Sequence, residues 1–266
     1  MAAGPLPVPA QPRGDVRGRP RARQPVSPAR PRPGLDLETE LASSGARFVA
    51  GMDEVGRGAL AGPASVGLVV LDVPRLLAGS GHDAAAPDPA PVSVPAWDGV
   101  RDSKALSAAR RAVLAPRVAT WAAGTAVGHA QPHEIDALGI TAALRLAGLR
   151  ALAAVTSGGT PVDALILDGS HNWLEAPAVL GQEEDPVALP PVVRTLVKAD
   201  ARCVSVAAAS IVAKVERDAL MVELGQEHPA YEWGANKGYG SAAHRAALVT
   251  HGTTRHHRRS WNLGVS

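Results

Sequence analysis

Two adjacent acids, Asp53 and Glu54, arrive just after a short apolar run, Arg47-Phe48-Val49-Ala50, and a Gly56-Arg57-Gly58 turn follows at once. Neighbouring carboxylates at a strand end can supply oxygen ligands to a hard cation such as Mg2+ or Mn2+. Glycines at 56 and 58 allow positive φ and let the backbone approach a ligand closely. An arginine held between them suits phosphate or sugar contacts. Two later acids stand in comparable places. Asp168 ends the apolar run that begins at Asp163, and Asp200 follows the apolar run 192–197. Taken singly, each reads equally well as a turn or helix-capping aspartate.

Together they read differently. In open α/β sheets, ligand sites gather at the carboxyl ends of strands. If the strands ending near 53, 168 and 200 are neighbours, the carboxylates converge. Two carboxylates ~4 Å apart repel by about 4 kcal/mol at an effective dielectric of 20. Divalent cations relieve that repulsion, and a two-metal clamp is the apparatus of in-line phosphodiester chemistry. Alternate residues of a regular strand face opposite ways. Asp53 and Glu54 are therefore expected to serve one centre only where the strand ends or bulges.

The elements that must hold these residues follow from the pattern. A short helix is predicted over 35–44, a strand over 47–50 and a second strand over 64–71 at hairpin distance. Ser107 is placed to cap a helix reaching about Ala123, and a weakly alternating strand follows over 125–131. A helical stretch over 132–155 should break near Gly139. Strands over 163–168 and 192–197 have the apolar character of a buried parallel sheet. A long helix from Cys203 to about Gly225 is expected to bury Val204, Ala208, Ile211, Val215, Ala219 and Val222 on one face. A further short helix is predicted over 241–250. Residues 78–96 and 175–191 read as surface loops. The order predicts an α/β domain, a mixed sheet flanked by helices with a helical C-terminal portion.

Composition bounds the rest. The chain has 266 residues, 46% hydrophobic and 20% charged, enough for one good core or at most two domains. Residues 1–34 carry seven Arg and one Asp and almost no large apolar side chain, so a disordered extension is expected there, with the folded domain over 35–266. Residues 237–266 are also basic, whereas the middle carries a net −9. Basic ends around an acidic centre suit a polyanion bound against a metal-loaded site. No apolar run approaches the ~20 residues of a membrane span, and no apolar stretch of signal-peptide type opens the chain. The single cysteine, Cys203, excludes an internal disulfide and fits a reducing cytosol. A cytoplasmic protein with no membrane partner is expected.

The segment Gly51-Met52-Asp53-Glu54-Val55-Gly56-Arg57-Gly58-Ala59-Leu60-Ala61-Gly62-Pro63 resembles the opening motif of prokaryotic ribonuclease HII. The resemblance recurs in order in Asp102-Ser103-Lys104-Ala105-Leu106-Ser107, Leu167-Asp168-Gly169 and Lys198-Ala199-Asp200. It continues through residues 207–218, Asn236-Lys237-Gly238-Tyr239-Gly240-Ser241 and His257-Arg258-Arg259-Ser260-Trp261. All four lysines of the chain (104, 198, 214 and 237) fall inside these motifs. Val55 and Trp261 stand where alanine and phenylalanine are common.

The resemblance implies a ribonuclease H-like fold with a central five-stranded sheet. It implies a monomer that hydrolyses RNA in RNA/DNA hybrids and incises DNA duplexes 5′ of single embedded ribonucleotides. Asp53, Glu54, Asp168 and Asp200 carry over as ligands of two divalent ions, Mn2+ or Mg2+. Gly56, Arg57 and Gly58 match the loop that reads the ribonucleotide 2′-hydroxyl. Tyr239 matches the tyrosine that packs on the following deoxyribose, where an aromatic face excludes a 2′-hydroxyl.

Ser103 and Lys104 are read as phosphate contacts beside a helix N-terminus. Lys214, Glu216, Arg217 and Asp218 are read mainly as surface or ion-pair residues. His257-Arg258-Arg259 is expected to contact the phosphate backbone or fix the C-terminal segment. His244, His251, His256 and His257 are not needed as metal ligands, because the acids already offer hard oxygens. The rivals are a DNA-only nuclease of the same fold, a duplex-binding module without catalysis, and a small-molecule phosphohydrolase. Loss of any of the four acids would favour the second. The basic ends and the Gly-Arg-Gly loop disfavour the third.

Overall fold

The computed structural model describes residues 32–79, 94–175 and 187–265, with Met1 and Gly4. Most of the extension expected over 1–34, and most of the loops expected over 78–96 and 175–191, lie outside the described residues. Pro31–Ser266 form one compact unit. It contains α1 (Asp36–Ser43), β1 (Phe48–Val55), β2 (Ala64–Asp72), α2 (Val73–Gly79), α3 (Ala108–Trp121) and β3 (Gly124–Ala130). After these come α4 (Pro132–Leu138), α5 (Ile140–Ser157), β4 (Ala164–Asp168), β5 (Val192–Leu196), α6 (Val204–Glu227), α7 (Trp233–Asn236) and α8 (Ala242–His251).

The five strands form one mixed sheet in the order β3-β2-β1-β4-β5. β1 and β2 are an antiparallel hairpin, β3 pairs antiparallel with β2, and β4 and β5 run parallel to β1. This is the expected architecture. β5 departs in one respect. It is the sheet's edge, so Arg194 and Thr195 are exposed where a buried strand was expected.

Alternation along the strands builds two cores. Val49, Val69, Leu71 and Ile166 face α1, α3 and α6. Ala50, Met52, Leu68, Val70, Leu165 and Leu167 face α4 and α5. The helical break comes at Gly139, whose φ of 76° favours glycine, as the sequence predicted. α5 is long and apolar enough by composition to cross a membrane. Here it is a core helix that buries Ala143, Leu144, Ala147, Leu149, Ala151, Leu152 and Val155.

α6 lies close against the central hairpin because glycines face it. A Cβ at Gly51 would meet the backbone of Ser205 and Val206 at 2.4 Å, and one at Gly67 would meet the Ala209 carbonyl at 2.4 Å. The N-terminus of α6 is fixed from outside: buried Glu38 of α1 accepts from the Ser205 backbone N–H at 2.9 Å and its hydroxyl at 2.8 Å. The first half of α6 buries the predicted face, including Val204, Ala208 and Ile211. The second half does not. Val222 is exposed, and Arg217 and Met221 are buried instead. There α6 has passed the sheet and packs on the loop after β1 and on the C-terminal segment, whose core is Leu60, Ala61, Met221, Tyr231, Trp233 and Leu248.

Candidate active site

Three of the four predicted acids stand on the α6 side of the sheet's carboxyl edge. Asp53 shares its face of β1 with Val49 and Gly51, and Asp168 shares its face of β4 with Ala164 and Ile166. Asp168 is fixed by the Ala199 N–H, which donates to its Oδ1 at 2.7 Å. Asp200 lies on the 3-10 turn Ala199–Ala201 just before α6, a few residues beyond the end of β5.

Glu54 corrects the expectation for the first pair. The β1–β2 ladder runs regularly through Asp53↔Gly67, Glu54↔Val66 and Val55↔Ser65, so the strand neither ends nor bulges at the acids. Glu54 therefore turns to the α5 side, where it lines a groove of about 700 Å³ with Arg57, Thr141, Arg145, Asp168 and His171. The two acids still share one centre because β1 outruns β4, with parallel pairing stopping at Met52↔Leu167. Beyond that point no neighbouring strand on the β4 side separates the two faces.

The acids feel one another's charge. Burial first, then Glu54, Asp168 and Asp200, push the Asp53 carboxyl well above the usual carboxylate range, against a pull from Lys104. Glu54 is raised by burial and by Asp168, with Arg57 opposing at 3.6 Å. Asp200 is raised by burial, Asp102 and Asp168, with Lys104 Nζ 4.0 Å away. Burial lowers the Lys104 ammonium, but Asp53 and Asp200 outweigh it and the net shift is upward. Among the described residues, the acids do not bring three ligand oxygens within 4.8 Å of one another; Glu227, His228 and His256, elsewhere in the fold, do bring three ligand atoms that close.

The Gly-Arg-Gly loop and Tyr239 share the rim of this centre. A cleft of about 340 Å³ is lined by Asp53, Glu54, Gly56, Arg57, Gly58, Ser103, Lys104, Lys214 and Tyr239. Every predicted site residue except Asp168 and Asp200 lines this cleft; Asp168 lines the adjoining groove, and Asp200 neighbours Lys104. Only Gly56 of the two loop glycines has a positive φ, 79°. A Cβ there would lie 1.9 Å from Arg217 Nε, so this position needs glycine twice over, while Gly58 has open space around it. Ser103 is buried, its N–H donating to Ser210 Oγ at 3.1 Å, and Lys104 is exposed. Tyr239 is 39% exposed, with the Arg217 guanidinium 5.7 Å from its ring centre.

Two arginines form the loop's hidden support. Arg258 is fully buried and donates to the carbonyls of Arg57 (2.7 Å), Gly56 (2.7 Å) and Gly62 (3.1 and 3.2 Å), with Trp261 against its guanidinium. Arg217, expected on the surface, is also fully buried. It donates to Pro63 O (2.8 Å), Lys237 O (3.0 Å) and Ala61 O (3.3 Å). Carbonyls turned inward toward the arginines leave the outer side of the loop to the cleft. Fixing the C-terminal segment is thus what His257 and Arg258 do, and exposed Arg259 is held by its N–H to Asp136 at 3.0 Å. Lys214 and Asp218 do pair, at 2.6 Å, as expected. Lys214, read only as a surface or ion-pair residue, also faces the cleft. Its signal was its position inside a matched motif. His171 and Asn172 line the groove from a loop that carried no pattern.

This arrangement belongs with known proteins. The Ribonuclease HII family model matches residues 96–263. A ribonuclease HII of Streptomyces avermitilis is 45% identical over 222 residues, covering 83% of this chain and 79% of that protein. Among solved structures, ribonuclease H2 of Pyrococcus horikoshii OT3 aligns with a TM-score of 0.59 at 25% identity, covering 81% of this chain and 94% of that one. Bst-RNase HIII, solved in complex with Mn2+, shares the fold with a TM-score of 0.57 at 20% identity over 82% of this chain and 68% of its own. A mixed sheet with four acids gathered near its carboxyl edge, and relatives matched across most of the chain, lead to one assignment: the chain belongs to the ribonuclease HII family of metal-dependent endoribonucleases.

Proposed function

We propose that this ribonuclease cuts RNA in RNA/DNA hybrids and incises duplex DNA on the 5′ side of a single embedded ribonucleotide, leaving 3′-hydroxyl and 5′-phosphate ends. The observation that carries the reading is the shared rim: Asp53 and Glu54 line one cleft with Gly56, Arg57, Gly58 and Tyr239. Cutting groups and groups able to examine the sugar are within one nucleotide's reach.

The carboxylates fit hard divalent ions. Asp53 is buried against three other acids, and Lys104 and Arg57 together offset only part of that charge. Asp53, Glu54, Asp168 and Asp200 would hold two Mg2+ or Mn2+ ions, an all-oxygen donor set suited to both. Bound there, such ions activate water and stabilise the leaving oxygen. The chain's own residues do the rest. Lys104 places a positive charge at the cleft wall for a phosphate oxygen, with Ser103 beneath it. The loop Gly56-Arg57-Gly58, its carbonyls held by Arg258, presents its outer side to the 2′-hydroxyl. Tyr239 sets its ring where a deoxyribose packs and a ribose 2′-hydroxyl clashes. The lone buried cysteine fits a reducing cytoplasm, where we place the enzyme as a monomer.

The test is incision of a DNA duplex with one ribonucleotide, beside all-DNA and long-hybrid duplexes, with Mn2+, Mg2+ or a chelator. Cleavage at the ribonucleotide only with metal is expected. Tyr239→Ala should lose roughly 10- to 100-fold more rate on the single-ribonucleotide duplex than on the long hybrid, if positioning is its role. Cutting of all-DNA duplex at the same rate would overturn the reading.

A further inference from the structure

We propose a second metal site, for a borderline divalent ion of the Zn2+ class, formed by Glu227, His228 and His256. It lies on the C-terminal end of α6 and the segment after α8, apart from the acids. Their ligand atoms all lie within 4.8 Å of one another, with Glu227 exposed and both histidines half-buried. The imidazole ring centres are 5.4 Å apart.

Three features mark the cluster as a site rather than a chance meeting. First, the backbones are pinned. The His228 N–H donates to Leu224 O at 3.0 Å, and the His256 carbonyl accepts from Gly62 N–H at 2.8 Å. The His228 ring stands edge-on to Trp233 at 5.4 Å and to Tyr231 at 6.4 Å, which sets its orientation. Second, the His228 ring nitrogens have no hydrogen-bond partner among the described residues. Third, Glu227 and His228 close a 24-residue helix, where outward carbonyls and the macrodipole favour a cation. One contact competes: exposed Arg255 donates through Nε to His256 Nε2 at 3.1 Å. An exposed arginine side chain swings away at little cost.

Two imidazoles and one carboxylate, with an open fourth position, are a donor set for zinc. Mg2+ prefers oxygen alone, so the two centres sort their ions by chemistry. An ion here would fasten the end of α6 to the segment that continues into His257 and Arg258.

The experiment titrates the chelator-stripped full chain with Zn2+ by calorimetry in millimolar Mg2+, and follows Tm. The wild type should bind one Zn2+ equivalent more than His228→Ala and His256→Ala, and its Zn2+-dependent rise in Tm should vanish in both. Asp53→Asn should keep that equivalent. Glu227→Gln, at an exposed side chain, should weaken Zn2+ binding by roughly tenfold or more. Equal Zn2+ stoichiometry and affinity in the wild type and Glu227→Gln, or in any folded histidine variant, would overturn the proposal. Neither result depends on which nucleic acid is cut.

Discussion

The carboxylate edge and the C-terminal cap both hold ionisable groups that are buried or half-buried, yet they compensate them in opposite ways. In the cap, Arg258 and Arg217 find backbone carbonyls for their N–H groups. His244 donates through Nδ1 to Tyr239 O at 2.9 Å, and its Nε2 accepts from Trp233 Nε1 at 3.1 Å with His257 Nε2 also at 3.1 Å. At the edge, four acids face one another with Lys104 and Arg57 as partial compensation. Buried polar groups that satisfy one another hold a structure together. Buried charges that do not are held in place by the rest of the fold for a ligand to complete.

The largest expected effect breaks the edge alone. Asp53→Asn should cut metal-dependent cleavage by at least about a thousandfold while the protein stays folded and its metal-free stability holds or rises by about 1 kcal/mol. Cleavage assays and chemical denaturation with chelator check both halves; wild-type cleavage would remove the distinction. The reverse pattern is expected for Arg258→Ala. Orphaning the carbonyls of Gly56, Arg57 and Gly62 should cost roughly 3 kcal/mol in denaturant unfolding. Arg258→Lys keeps a charge but not the fork, and should fall in between. A loss below about 0.5 kcal/mol for Arg258→Ala would mean the loop stands without its support.

The smallest effect concerns pH. Burial, then His244, His228 and His256, hold the His257 imidazole down from 6.5 to about 4. Between these values the unfolded chain binds the extra proton, so stability falls as pH drops from 6.5 toward about 4. Thermal melts in chelator should show that slope, and His257→Gln should flatten it. An unchanged slope in a folded His257→Gln would place the titration elsewhere.

Much of this was legible in the residues. Asp53, Asp168 and Gly139 announce themselves by standing where an apolar run or a helical period stops, because local backbone geometry sets those positions. Glu54 and Arg217 were not legible, for a different reason. Whether Glu54 needs a bulge depends on where β4 ends, more than a hundred residues later. Arg217 reads as solvent-facing because arginines seldom go inside, and what buries it is a set of carbonyls from Ala61, Pro63 and Lys237. Val222 was assigned to the buried face by period alone, and the period says nothing about where the sheet beneath the helix runs out.

Gly51 and Gly67 let α6 settle directly on the backbone of β1 and β2. Asp53 stands two residues along from Gly51, and Asp200 lies just ahead of α6. The gap between these two acids is therefore gauged by the thickness of a hydrogen atom rather than of a side chain. A methyl group at position 51 would act as a shim, lifting the helix and widening the centre with every acid still present. The spacing of the acids is thus set in part by a residue that is not one of them.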